Sequence, residues 1–275
     1  NPLLRSLVVD EARASKTMVD ILQGYGAVPD PRLTLILSKS QAWVQGKDGA
    51  EEWKGVPNGL PVTELSLPEY DNNHNSCIWG YMWGYDWNSA EKGDNHSKPK
   101  TDADFTPLGL MNYSEVCFLK AEAALRGWQG AGDAKTNYEN GIRASFEEMR
   151  ANAPKDSYSK SNDDKYISEG NVAWNNADSF EAKLEKIITQ KWIGIYPNSE
   201  EAWAEFRRTG YPKLNPVKQS LEPTINPKNG EFIKKLRYVD NELSNNKEYA
   251  TDPTLNGGQG DGLSVRVWWD TARYK

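Results

Sequence analysis

The chain has 275 residues, 33 of them basic and 39 acidic, for a formal net charge of -6. That length is enough to bury a real core in one large domain or two small ones, and charges of both signs spread along it offer no basic patch for a polyanion, which excludes nucleic acid as a partner. The longest apolar stretches, such as 186–196, are broken by Lys and Gln and fall far below the ~20 apolar residues of a membrane helix.

The start, Asn1-Pro2-Leu3-Leu4-Arg5, lacks the basic, apolar and small-residue regions of a secretory signal, so the chain is expected to be cytoplasmic or to have lost its leader. Ala12, Met18, Val19 and Leu22 predict a helix over 11–23, stopped by Gly24 and Gly26. Asp30-Pro31-Arg32-Leu33 follows as an extended turn. From Ser38 to Thr106 no helical period is sustained and Gly, Pro, Asn and Asp are dense, which predicts a long irregular excursion. Excursions of that length in a compact protein are functional or disordered, and the Trp content argues against disorder.

Helices dominate after Pro107. Asn112 with Glu115 reads as a capping box, and Tyr113, Val116, Cys117, Ala121, Ala124, Leu125 and Trp128 repeat at helical spacing. Asp133 caps a second helix with a stripe of Tyr138, Ile142, Phe146 and Met149, and the short connection predicts an antiparallel hairpin from Asn112 to Arg150. A polar connector over 151–177 is expected to hold a short helical turn, anchored by Tyr158, Tyr166 and Trp174. Asp178 with Glu181, and Asn198 with Glu201, repeat the cap logic for a second pair bearing Leu184, Ile187, Ile188, Trp192, Trp203 and Phe206. Trp128, Trp192 and Trp203 are expected to face the core. Glu200 and Glu201 open the last helix and Arg207 and Arg208 close it, one of these arginines being expected to pair with Glu115 or Glu122. The tail, 211–275, is irregular and ends on Trp268-Trp269-Asp270, of which at most one ring faces inward if the segment is extended.

The fold class is therefore mainly α, in three stretches: 1–106, a helix plus an aromatic-rich excursion; 107–210, helical pairs; 211–275, an irregular tail. The chain carries 11 Trp and 13 Tyr against 6 Phe, a bias toward rings with a polar edge that suits half-wet recognition surfaces. In the excursion Trp79, Tyr81, Trp83, Tyr85 and Trp87 alternate with Gly80, Met82, Gly84 and Asp86, so an extended backbone puts all five rings on one face. Sugar rings present flat C–H faces to such a platform, while Asn72, Asn73, Asp86 and Asn88 are placed to take hydroxyls. Trp53 and Trp43 are further candidates in the same excursion. The competing reading packs the ladder as core or against another domain.

Signals for catalysis are weak. His74 and His96 lie in no nucleophile-elbow, zincin or phosphate-loop pattern, and His74, Cys77 and His96 lack the paired cysteines of a zinc site. Glu200, Glu201 and Glu205 offer carboxylates for glycoside hydrolysis, yet their helix positions account for them. No cofactor is expected. Glu91, Asp94, Asp102 and Asp104 leave a structural calcium open without matching an EF-hand. Cys77 and Cys117 are read as small buried hydrophobes rather than a disulfide framework.

The run from Tyr113 to Trp128, YSEVCFLKAEAALRGW, resembles the helix that marks SusD/RagB-like proteins of the Bacteroidetes outer membrane. Ile187–Ile193, Glu201–Pro212 and Val265–Asp270 resemble later segments of that family in the same order, and Ser15-Lys16-Thr17 with Asp30-Pro31-Arg32-Leu33 resemble its middle section. One departure is that the family's Arg-x-Pro-aromatic-Pro stretch here reads Lys235-Leu236-Arg237-Tyr238-Val239, with both prolines missing. Family members are roughly twice as long and begin with a lipoprotein signal, so the chain is expected to be a C-terminal part. The resemblance implies tetratricopeptide-like helical pairs and a non-catalytic protein on the extracellular face of the outer membrane. It implies binding of oligo- or polysaccharide for a SusC-like TonB-dependent transporter, with a membrane attachment only through a lipid anchor absent from this chain. A tetratricopeptide-like scaffold for protein partners is the alternative.

Overall fold

In the computed structural model, residues 13–24, 28–78, 80, 82, 109–151 and 153–270 are described. They form two compact units, one within 1–56 and 62–198, the other within 57–61 and 199–275.

The first unit begins with Arg13 and Ser15 in isolated bridges, antiparallel to Cys77 and parallel to Val56. Helix α1 (Lys16–Leu22) follows, later than the sequence pattern suggests, because Ser15 is already claimed as its cap: the Ser15 Oγ accepts from the Met18 N–H at 3.2 Å. Three one-turn helices, α2 (Leu33–Ile36), α3 (Gln41–Val44) and α4 (Val62–Leu65), punctuate an otherwise irregular path.

The hairpin is α5 (Tyr113–Leu125) against α6 (Ala134–Arg150). On α6 the structure keeps both the expected cap, Asp133 accepting from Thr136 N–H at 2.8 Å, and the expected buried stripe of Tyr138, Ile142, Phe146 and Met149. Helix α5 departs from its apolar pattern. Its buried face is Ser114, Glu115, Cys117, Phe118, Ala121 and Glu122, while Tyr113 is 65% exposed. The polar members are buried because each has a partner. Ser114 donates through its N–H and Oγ to Glu148, at 2.9 and 2.5 Å; Glu115 meets buried Lys191 at 3.7 Å; Glu122 holds Arg126 at 2.8 Å. Asn112 makes no side-chain cap bond, so the capping box is not formed. The helix ends at Leu125 and Gly127 takes φ 77°, which turns the chain before Trp128 and leaves that ring 68% exposed rather than in the core.

The connector holds α7 (Asp163–Ser168), with Tyr166 buried. Helix α8 (Phe180–Gly194) is capped one residue later than expected: the Ser179 Oγ accepts from the Ala182 N–H at 3.2 Å. It packs on both α5 and α6, burying Leu184, Ile187 and Ile188. Helix α8 is thus a third helix laid on the first hairpin, and the helix that follows it belongs to the second unit.

That unit opens with α9 (Ser199–Thr209), then α10 (Asp240–Asn245) and α11 (Lys247–Ala250), joined by irregular chain. Thr224 ties the tail back: its Oγ1 accepts from Leu263 N–H at 3.0 Å and its carbonyl from the Ser264 hydroxyl at 2.8 Å. Asp261 pairs with Lys235 and accepts from Tyr238 N–H at 2.9 Å. Val239, where the resembled pattern has its second proline, sits at φ -70° and ψ 153°. A proline would adopt the same φ. Among the described residues no strand forms beyond the isolated bridges, and no helix is long and apolar enough to cross a membrane.

Candidate functional site

The excursion's described root is a chain of backbone ties. Ala14 N–H donates to Ser76 O at 2.7 Å and Ser76 N–H to Lys54 O at 2.7 Å; Ser38 N–H donates to Cys77 O at 3.0 Å, with Cys77 N–H returning to Ser38 Oγ at 3.2 Å. Asn75, fully buried, donates through its amide to Glu69 O at 2.9 Å and Asp71 O at 2.8 Å. Asp71 Oδ1 accepts from the N–H groups of Asn73 and His74 and lies 2.8 Å from His74 Nδ1. Partial burial works against ionisation of Asp71, yet the hydrogen bonds from His74 and Asn73 hold it below the usual carboxylate range. Burial pushes the Cys77 thiol up to about 12, which leaves it inert as a nucleophile or thiolate ligand at neutral pH.

Beyond this root the interleaved positions of the ladder turn inward. Ile78 and Met82 pack against the core formed by α1, α2, Met149 and Ile193, and Gly80 is buried so tightly that a Cβ would lie 2.2 Å from the Leu35 carbonyl oxygen. Only glycine fits there, because backbone occupies the space a side chain would need. Trp79, Tyr81, Trp83, Tyr85 and Trp87 lie outside the described residues, as do Asp86, Asn88, His96 and the calcium candidates Glu91, Asp94, Asp102 and Asp104.

Of the remaining candidates, Asn73 is exposed at the Asp71 turn with Asn72 half-buried beside it, and its carbonyl accepts from Ala42 N–H at 2.8 Å. Trp53 is half-buried against the same core. Trp43 is exposed, with Lys39 Nζ 4.7 Å from its ring centroid. Asn72, Asn73, Trp43 and the ladder root thus belong to one unit, on the segment that Ser38, Ser76 and Asn75 hold still.

The groups considered for chemistry are otherwise engaged. Glu205 holds Arg208 through a double contact at 2.9 and 2.7 Å, and among the described residues no three His, Cys, Asp or Glu gather around a metal-sized space. Glu115 meets Lys191 and Glu122 meets Arg126.

The second unit carries a feature that helix-end reasoning missed. Arg207 lies 3.8 Å from the Trp203 ring centroid and 4.9 Å from that of Trp269, with Nη1 donating to Lys234 O at 3.2 Å. It lines a cavity of about 510 Å³ together with Arg208, Lys213, Lys234, Arg266 and Asp270. The i, i+4 spacing of Trp203 and Arg207 was the available signal; Trp269 arrives from distant sequence. Trp203 itself is half-buried, its Nε1 donating to Ile233 O at 2.9 Å, and Trp268 is 90% exposed while Trp269 is half-buried.

A mainly helical protein with a buried three-helix core and a long tryptophan-bearing excursion rooted on it is the class that fold and site define. The chain belongs to the SusD-like family, described as Susd and RagB outer membrane lipoprotein, whose profile matches residues 1–270. It is similar to a chitin-binding SusD homolog from Flavobacterium johnsoniae, at 31% identity and a TM-score of 0.67, over 98% of this chain and 52% of that one. A SusD homolog from Bacteroides uniformis matches at 26% identity and TM-score 0.69 over 98% and 53% of the two chains, and one from Bacteroides vulgatus at 28% and 0.67 over 100% and 52%. The chain spans about half the length of these relatives. Comparison with curated proteins gives no match.

Proposed function

We propose that the chain is the C-terminal part of a single SusD-like domain that binds oligo- or polysaccharide at the extracellular face of the outer membrane, without chemistry on the sugar. The bound glycan is handed to a SusC-like TonB-dependent transporter, the role implied by membership in the family, and the chitin-binding relative supports a polysaccharide as the class of ligand. The observation that carries the site is the inward commitment of Ile78, Gly80 and Met82. In the sequence Trp79, Tyr81 and Trp83 alternate with Gly80 and Met82, and with the even positions committed to the core we propose the rings, with Asn72 and Asn73, as the glycan contacts. Aromatic faces there cover the apolar faces of sugar rings, and amide groups take the hydroxyls.

The test is retention of the full-length protein on an insoluble polysaccharide such as chitin, compared with the double substitution Trp79→Ala and Trp83→Ala. Retention falls at least tenfold in the variant, about 1.4 kcal/mol or more for the lost stacking, while the far-ultraviolet circular dichroism is unchanged. Equal retention of the two proteins would overturn the platform.

A further inference from the structure

We infer that Asn58 is a site of spontaneous deamidation, selected by the fold from the four Asn-Gly pairs of the sequence, Asn58-Gly59, Asn140-Gly141, Asn229-Gly230 and Asn256-Gly257. The reaction needs two groups at once. The asparagine amide must be free to swing, and the N–H of the next residue must be free to lose its proton and attack. A glycine in second place leaves that approach unhindered because it has no Cβ.

Three of the pairs have one or both groups tied. Gly141 lies inside α6, its N–H held in the helical ladder and the Phe118 ring packed against it. Asn256 Nδ2 donates to Gly260 O at 2.6 Å, and the Gly257 N–H donates to Thr254 O at 3.0 Å. Asn229 is exposed, but the Gly230 N–H donates to Pro227 O at 2.9 Å. Asn58 and Gly59 form an exposed turn, with Gly59 at φ 73°. Among the described residues neither the Asn58 amide nor the Gly59 N–H has a hydrogen-bond partner, while the Asn58 carbonyl accepts from Lys218 N–H at 3.4 Å.

In the reaction the Gly59 nitrogen bonds to Asn58 Cγ as the Cγ–Nδ2 bond breaks, and ammonia leaves with the proton that the backbone nitrogen gave up. Water then opens the cyclic imide. Addition at Cγ gives aspartate, whereas addition at the backbone carbonyl carbon gives isoaspartate, whose main chain runs through Cβ and Cγ and is one carbon longer. Position makes the longer chain matter. Pro57–Pro61 belongs to the second unit, and Gly59 sits so close to 217–219 that a Cβ would lie 2.4 Å from Val217 Cβ and 3.1 Å from the Gln219 carbonyl oxygen. With no slack there for another main-chain atom, isoaspartate releases 57–61 from that segment. The glycan reading is not needed for any of these steps.

The test is peptide mapping by mass spectrometry of the full-length protein held at pH 8 and 37 °C, folded and in urea, with isoaspartate counted by enzymatic methylation. In the folded protein Asn58 converts at least about fivefold faster than Asn229 or Asn256, and about tenfold or more faster than Asn140, whose reaction needs α6 to open. In urea every pair is solvated, and the four rates fall within about threefold of one another. Tryptic cleavage after the exposed Lys218 is at least about threefold faster in aged protein than in Asn58→Gln protein aged alike, since the longer Gln side chain closes a larger ring more slowly. An Asn58 rate no higher than those of the other three in the folded protein, or the same preference persisting in urea, overturns the selection by the fold. Equal cleavage of the two aged proteins overturns the release of 57–61.

Discussion

Asp30 and Arg32 form an ion pair at 2.6 Å with neither side chain accessible to solvent. Asp30 also accepts from the Arg32 backbone N–H at 2.8 Å and from the Tyr166 hydroxyl at 2.6 Å, while Arg32 reaches Ser145 Oγ at 2.8 Å and Gln190 Oε1 at 2.5 Å. Burial disfavours the guanidinium charge, but the field and hydrogen bonds of Asp30 outweigh it and raise the pKa of Arg32. The two residues therefore bind the start of α2 to α6, α7 and α8 at once. Since Gly80 rests on Leu35 and Ile36, the same network fixes the backbone against which Gly80 packs.

Removing one partner strands the other in a dry interior. Arg32→Met is expected to lower the unfolding free energy by about 3–5 kcal/mol, and Asp30→Asn by a comparable amount, whereas the double substitution costs less than their sum. Urea unfolding of the four proteins, followed by tryptophan fluorescence, checks this; additive losses would show that the pair is not coupled.

Gly141 faces Phe118 across the hairpin, and a Cβ there would lie 2.7 Å from the ring's Cε1. In an exposed helix Gly→Ala gains about 0.5–1 kcal/mol, yet here overpacking is expected to cost about 1–3 kcal/mol, so Gly141→Ala destabilises on balance. Chemical denaturation shows the sign directly, and a stabilised variant would mean that the hairpin opens without cost.

Asp133 caps α6, and the hydrogen bonds from Thr136 lower its pKa from 3.8. A carboxylate depressed by folding stabilises above its unfolded pKa and loses that contribution as pH falls through the folded value. Asp133→Ala should therefore cost about 1 kcal/mol at pH 7. The difference between wild type and variant should shrink as pH drops below 3.8, the unperturbed value. Thermal denaturation of both proteins across that range measures it, and a gap that stays constant would remove the cap.

Cys77 and Cys117 are free and buried, and Cys77 is further disabled by its raised pKa. The native protein should release no thionitrobenzoate from Ellman's reagent at pH 8 over minutes, and two equivalents once unfolded, matching its two cysteines. Rapid native labelling would place one thiol at the surface.

How much of this was legible depends on whether the deciding partner is near in sequence. The α6 stripe and its Asp133 cap were readable because both follow from residues three or four apart, which a helix must bring together. The irregular path after Ser38 was equally clear from the density of Gly, Pro and Asn. The buried face of α5 was not, because Ser114, Glu115 and Glu122 are polar and go inward only where Glu148, Lys191 and Arg126 await them. Trp128 looked like core by periodicity until Gly127 ended the helix ahead of it. At the candidate site, the alternation of rings was visible in sequence, but the packing of Gly80 on the Leu35 carbonyl was not.

By itself, then, the order of residues determined the helical class, the hairpin, the glycine and tryptophan punctuation of the excursion and the resemblance that the family match bears out. Tertiary structure alone decided which polar groups are buried, that α8 completes a three-helix core, and that Arg207 sits between Trp203 and Trp269. Local hydrogen bonding and side-chain period are written into neighbouring residues, whereas the burial of a charge is favourable only when a counter-charge arrives from elsewhere in the chain.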